Sequence, residues 1–332
     1  MSKVKADQEE FKMLRSGTIS CVGLLAFIAG SMPAHAQFTY APINVPGAVA
    51  TEARGINNNG EVVGFYQTTT CTNTDVRVPT CPTKGFKFVN GKYVKLMVPG
   101  SNSTAIMGVN DLGDLTGFYK KADGSEHGFI WFHNNVVRTI DFRANGTVPW
   151  GINKAGMVVG GIWGTGSNGT FPSGGWVWIN GKFSNMNPNN GAGPCCESVT
   201  GISNNGILSG LVFQSDFFMA WMKQSTDEDF FTFPHGGAQC CDTSGTGINN
   251  NINEIGFTGG QGWFTKKLEG AGDETESSGE VTPQFVKVNF PGQVNGQPLP
   301  TYPFGINDQR WIAGVYTDSS NHVHGFVAKP NF

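Results

Sequence analysis

Four cysteines stand in two adjacent pairs, Cys195-Cys196 and Cys240-Cys241, and a carboxylate follows each pair at once, Glu197 and Asp242. Thiols so placed can close two crossed disulfides, close vicinal ones, or hold a soft metal such as copper as thiolates. Crossed bridges between two neighbouring loops are the preferred reading, although four cysteines permit three pairings and the sequence does not choose among them. His235 shares a stretch with Cys240 and Asp242. Glu197 with Asp242 or His235 therefore forms the candidate catalytic set, because hydrolysis of a glycosidic bond needs two carboxyl groups roughly 5 to 10 Å apart. Cys71 and Cys81 bracket "TNTDVRVPT" and are expected to staple that loop. No C-x-x-C ligand spacing, G-x-S-x-G elbow, phosphate-binding loop or dinucleotide fingerprint occurs, so the sequence calls for no metal and no cofactor.

The elements that must carry these residues are repeats. "GINNNGEVVG" at Gly55 recurs, imperfectly, at Gly108, Gly151, Gly201, Gly247 and Gly305. Nine residues after each of these stands a second glycine: Gly64, Gly117, Gly160, Gly210, Gly256 and Gly314. The third position is Asn57, Asn110, Asn153, Asn249 or Asn307, with Ser203 the one substitute. Asn and Gly in this order predict a tight hairpin turn, completed by Gly60, Gly113, Gly156 and Gly206. Ile252 and Arg310 replace that glycine in the last two copies, so those turns are expected to differ in shape. The second glycine suits a strand packed too closely on its neighbour for a Cβ.

After each hairpin comes an apolar run such as "GFIWF" or "GGWVWI", then a turn, then an alternating strand such as "VVRTIDF". Four strands per copy and six copies of about fifty residues predict an all-β, six-bladed propeller. "FTYAPINVPG" near the start matches a fourth strand, whereas the chain ends in "HGFVAKP", which matches a third. The N-terminal strand is thus expected to complete the last blade and seal the ring. "KKLEGAGDETESSGE", residues 266–280, interrupts the fifth copy as a polar, acidic surface loop.

Composition agrees: 47 glycines and 25 phenylalanines with only 14% charged residues favour short strands and turns over helices. A formal charge of −3 supplies no basic field for nucleic acid. Ahead of the repeats, Lys3, Lys5, Lys12 and Arg15 precede "CVGLLAFIAG" and then Ala34-His35-Ala36. This is the pattern of a signal peptide, residues 1–36, cleaved after Ala36. Residues 37–332 are then expected to form one secreted or periplasmic domain with no membrane insertion.

Counting back four residues from each first glycine gives Thr51, Thr104, Thr147, Glu197, Thr243 and Thr301. On the innermost strands of a propeller these would make a polar ring able to hold a sugar, a cation or a water. Equally, threonine suits strands and bonds to nearby backbone. Trp150, Trp176, Trp178 and Trp221 could stack on sugars or fill the spaces between blades. His127 and His324 share one repeat position and are expected to secure a loop.

The pattern G-I-N-x-x-G-x-x-x-G followed by His127-Gly128-Phe129 or His324-Gly325-Phe326 resembles the HAF repeat of exported bacterial proteins. That resemblance spans almost all of residues 37–332. It implies an extracellular protein of propeller-like build and brings no agreed catalytic residues. The sequence therefore favours an exported non-catalytic binding or scaffold module, with a glycan or surface polymer as partner. A propeller lyase or glycosidase acting on polysaccharide, and a metal or redox protein using the cysteine pairs, stay open as alternatives.

Overall fold

Five repeats fold into four-stranded antiparallel sheets from their own strands, and the sixth contributes three strands to such a sheet. In the first blade the strands are Ala50–Ile56, Val62–Gln67, Lys84–Val89 and Lys92–Leu96, hydrogen-bonded in chain order. The computed structural model describes residues 37–71, 79, 81–142, 146–166, 169–186, 198–214, 217–223, 231–233, 243–266 and 284–332. Glu197, His235, Asp242 and all four paired cysteines lie outside these residues, as do 1–36 and, apart from Lys266, the acidic stretch 266–280. Cys71 and Cys81 form a disulfide across the connection between the second and third strands of the first blade.

Six such sheets close into a ring, a six-bladed β-propeller. The innermost strands are Ala50–Ile56, Ser103–Val109, Thr147–Ile152, Ser198–Ile202, Thr243–Ile248 and Thr301–Ile306. The sixth blade has only three strands from its own repeat, and Phe38–Ile43 supplies the fourth. It pairs antiparallel with Val323–Pro330, from Phe38↔Pro330 to Ile43↔Gly325. This removes an open edge that could recruit another chain.

The core lies between blades. Side chains alternate along a strand, so a blade flanked on both sides buries both faces. The second strand of the first blade, "VVGFYQ", is buried along its whole length. Its Val62 joins Ala313 and Val327 of the sixth blade, while Val63 joins Ile106, Leu115 and Phe129 of the second. Phe86, Phe129, Trp176, Trp221, Trp263 and Phe326, all fully buried, each come from a third strand. The second glycine makes room for them. A Cβ on Gly64, Gly160, Gly210, Gly256 or Gly314 would strike both that ring and a carbonyl of its own inner strand.

The hairpin turns are alike in all six blades, including the two expected to differ. The Gly60 N–H donates to the Asn57 carbonyl (3.0 Å), with Gly60 at a left-handed φ of 77°. Ile252 and Arg310 adopt the same conformation (φ 57° and 61°) and donate to the Asn249 and Asn307 carbonyls (3.2 and 3.0 Å). A left-handed β-branched residue is strained and persists only where its surroundings over-determine it. The bonds between neighbouring turns, described next, supply that constraint.

Candidate functional site along the propeller axis

The lining of the axis follows from one local irregularity repeated six times. Each inner strand slips register against the second strand just before its first glycine. The extra residues are Arg54, Met107, Trp150, Thr200, Thr246 and Phe304. A bulge re-aims its side chain. All six bulge residues line one axial cavity, together with Leu211 and Ser244. Its free volume is about 20 Å³, space for about one water molecule.

Neighbouring blades meet through these residues. The Arg54 guanidinium pairs with Glu52 and lies over the Phe304 ring at 3.8 Å, with the Phe65 ring at 5.1 Å. Thr200 and Thr246 donate through Oγ1 to the carbonyls of Gly245 (2.7 Å) and Pro303 (2.8 Å) on the next inner strand. Beyond the bulges, the first glycines form a close-packed collar. A Cβ on Gly201 would lie 2.8 Å from the Gly247 Cα, and one on Gly305 2.8 Å from the Gly55 Cα.

Past the collar, the repeat asparagines join the blades in series. Asn57 Nδ2 donates to the Asn110 carbonyl (2.9 Å), Asn110 Nδ2 to that of Asn153 (3.0 Å), and Asn153 Nδ2 to that of Ser203 (3.3 Å). Asn249 Nδ2 donates to the Asn307 carbonyl (3.0 Å) and Asn307 Nδ2 back to that of Asn57 (3.0 Å). Each amide oxygen meanwhile accepts from its own turn, as Asn57 Oδ1 does from Asn59 and Glu61 N–H. Ser203 is too short to reach the next blade, and its hydroxyl accepts only from Ile207 N–H (3.0 Å) among these bonds.

The next residue of each repeat forms an outer ring at the mouth. Its members are Asn58, Asp111, Lys154, Asn204, Asn250 and Asp308. Asn58 Nδ2 donates to both Asp111 Oδ2 (2.9 Å) and Asp308 Oδ2 (2.8 Å). Asn204 Nδ2 also reaches Asp111 Oδ2 (2.8 Å), and Asn250 Nδ2 reaches Asp308 Oδ2 (2.8 Å). Asn58, Asp111, Asn204, Asn250 and Asp308 are half-buried, and Lys154 is exposed. The space they enclose has a free volume of about 50 Å³. It admits a few waters or one protruding substituent. A whole sugar ring does not fit inside it.

The five described threonines of the expected polar ring are buried and engaged. Thr51, Thr104, Thr147 and Thr301 accept through Oγ1 from the backbone N–H of Val45, Val98, Phe142 and Phe290 at 3.0 to 3.1 Å. Each bond ties an inner strand to the end of a preceding fourth strand. Thr243 Oγ1 lies 3.1 Å from Thr258 Oγ1. Of the tryptophans, Trp176, Trp178 and Trp221 fill the layers between blades, whereas Trp150 faces the axis.

His127 bridges Asp141 Oδ2 (2.8 Å) and Ser125 Oγ (3.0 Å), fixing the third strand to the end of the fourth. His324 makes the matching contacts to Asn44 Oδ1 (3.2 Å) and Asp318 Oδ2 (3.1 Å). Burial opposes ionisation of Asp318, yet the His322 N–H, the His324 imidazole and the Ser320 N–H outweigh it and hold the carboxyl at about 2.

Sequence reasoning missed the bulge set, the outer ring and one buried acid. The bulge and ring residues occupy fixed offsets on either side of the Gly-Ile step, which is the signal that could have exposed them. Glu254 stands where the other blades carry Val62, Leu115, Val158, Leu208 and Ile312. It is fully buried, and neither carboxyl oxygen has a hydrogen-bond partner among the described residues. Desolvation pushes its pKa well above the ordinary carboxyl range.

Comparison with family models and with curated proteins finds no match. Among solved structures the chain is similar to a streptogramin B lyase (TM-score 0.42, 11% identity, covering 88% of this chain and 98% of that one). It is also similar to the SapL1 lectin in complex with alpha methyl fucoside (TM-score 0.39, 9% identity, 81% and 88% covered). A third likeness is to the polysaccharide lyase Uly1 (TM-score 0.38, 11% identity, 85% and 77% covered). No residue role or ligand is carried over from them.

Proposed function

We propose that the protein is an exported, non-catalytic binding module whose ligand is a hydroxyl-rich polymer, a glycan or cell-surface polymer, met at the outer ring of Asn58, Asp111, Asn204, Asn250 and Asp308. The observation that carries this reading is the chemistry of that ring. Three amide donors, Asn58, Asn204 and Asn250, share two carboxylate acceptors, Asp111 and Asp308, in half-buried positions around the mouth. Sugar hydroxyls both donate and accept, so they can exchange with such bonds one for one, and a pre-formed ring need not be ordered on binding. With about 50 Å³ inside, the ligand lies across the mouth and inserts single hydroxyl or hydroxymethyl groups. Export is supported by the Cys71–Cys81 disulfide, a bond typical of oxidising compartments.

A glycan array probed with residues 37–332 tests this. Capture of a defined glycan class is expected, and Asn58→Leu with Asn250→Leu should weaken it at least tenfold while the circular dichroism spectrum is kept. Capture of no glycan, or capture indifferent to these changes, would refute the assignment.

One observation favours a polysaccharide hydrolase as the second reading. Asp111 and Asp308 both accept from the single Asn58 Nδ2, so their carboxylates lie within two hydrogen-bond lengths of each other. Paired carboxyl groups about 5 Å apart are the arrangement of retaining glycosidases. Release of reducing sugar that Asp111→Asn abolishes would establish turnover in place of binding alone.

A further inference from the structure

Away from the axis, the hairpin between the second and third strands of the sixth blade (Ile312–Thr317 and Val323–Pro330) gathers Asp318, His322 and His324. One ligand atom from each lies within 4.8 Å of the other two. His324 Nε2 is 3.1 Å and His322 Nδ1 3.4 Å from the same oxygen, Asp318 Oδ2. Donors around a tetrahedral zinc-sized ion, with bonds near 2.0 to 2.1 Å, stand about 3.3 Å apart. The two imidazole-to-carboxylate distances thus already match that spacing, and the third lies within 4.8 Å.

The surroundings orient them. Asp318 Oδ1 accepts from the backbone N–H of Ser320 (2.8 Å) and His322 (2.9 Å), which turns Oδ2 toward the imidazoles. The other nitrogen of His324 faces Asn44 Oδ1 at 3.2 Å, and its ring stacks on Tyr316 (5.1 Å between centroids, 23° between planes). An N–H at Nδ1 directed to an amide oxygen leaves Nε2 as the ligating atom, as in metal sites whose outer contacts fix the histidine tautomer. His322 is exposed, and its side chain retains 64% of its accessible surface, so the open side admits water or an exogenous ligand.

The second blade holds a natural control. Its hairpin has the same backbone bonds: Lys121 N–H to Ser125 carbonyl and Gly124 N–H to Lys121 carbonyl match Asp318 to His322 and Asn321 to Asp318. There, however, Lys121 stands for Asp318 and Ser125 for His322, and His127 Nε2 meets the Ser125 hydroxyl. A hydroxyl can serve as either donor or acceptor and needs no cation. In the sixth blade a carboxylate faces two imidazole nitrogens, a set of three donor atoms that a metal ion can bridge.

We propose that Asp318, His322 and His324 form a binding site for one divalent transition metal of the zinc and copper class, with Asn44 orienting His324 from behind. Two imidazoles and one carboxylate suit that class over calcium or magnesium, which prefer all-oxygen shells. Because Asn44 directly follows the closing strand Phe38–Ile43, an occupied site also fastens that strand to the sixth blade.

The test is titration of metal-free residues 37–332 with Zn²⁺ and Cu²⁺ by calorimetry and thermal unfolding, and with Co²⁺ by visible absorption. One equivalent bound, with a rise in Tm, is expected. The double variant Asp318→Lys with His322→Ser rebuilds the hairpin that the second blade already folds, so it should unfold normally yet bind at least tenfold more weakly. His324→Gln should weaken binding similarly while keeping a hydrogen-bonding side chain beside Asn44. No binding by the parent protein, or binding equally strong in the double variant, as metal capture by the cysteine pairs would give, overturns the site.

Discussion

Glu254 puts a carboxyl where five sister blades put an aliphatic group, and its protonation follows from that place. With no hydrogen-bond partner among the described residues, an ionised carboxylate here is far costlier to bury than a neutral acid, so burial favours the protonated form. In the unfolded chain the same group ionises near its ordinary value of about 4.3. The folded pKa being the higher one, the acid's contribution is fully present below that pH and is lost progressively as pH rises toward the folded value. Glu254→Leu is therefore expected to stabilise the protein by about 1–3 kcal/mol at pH 7 and by less at pH 4. Urea denaturation of parent and variant at the two pH values measures this. A difference that does not change with pH would mean that Glu254 is not held neutral.

At the scale of the element, the hairpin turn does two tasks with one residue. The asparagine oxygen caps its own turn, and the asparagine nitrogen reaches the next one. Serine at 203 retains the first task and lacks the reach for the second. Replacing Ser203 by Asn should let a new Nδ2 donate to the Asn249 carbonyl, as Asn57 donates to that of Asn110. A gain of about 0.5–1.5 kcal/mol is expected, the ordinary contribution of one intramolecular hydrogen bond. Thermal unfolding reads it, and a variant no more stable than the parent would show that the fourth and fifth blades do not stand in the common geometry. The same series of bonds explains why Ile252 and Arg310 accept a left-handed backbone: the neighbours fix the turn whatever residue completes it.

For the molecule as a whole, stability depends on the ring being shut. The strand Phe38–Ile43 shields Val323–Pro330 and packs Phe38 edge-on against Phe264 of the fifth blade (6.0 Å, 83°). A protein beginning at residue 44 should lose several kcal/mol, because it gives up the buried side chains of Phe38 and Ile43 and a row of ladder bonds. It should also self-associate through the uncovered edge. Calorimetry and light scattering test both. A monomeric truncation with an unchanged Tm would show that closure does not govern stability.

Much of this architecture was legible before any coordinates. The spacing of Gly55 and Gly64 through Gly305 and Gly314, the alternation between them and the fourth-strand character of residues 38–43 determined blade number, hairpins and closure. These are local or periodic properties, carried by φ preference, side-chain alternation and the collision a Cβ would cause. What faces the axis was decided only in three dimensions. A bulge is a mismatch between two strands, so no single strand reveals that Arg54, Met107, Trp150, Thr200, Thr246 and Phe304 turn inward. Nor does sequence distance show that Asn58 reaches Asp308, or that Asn44 stands behind His324, since each pair meets only when the ring closes and joins the two ends of the chain.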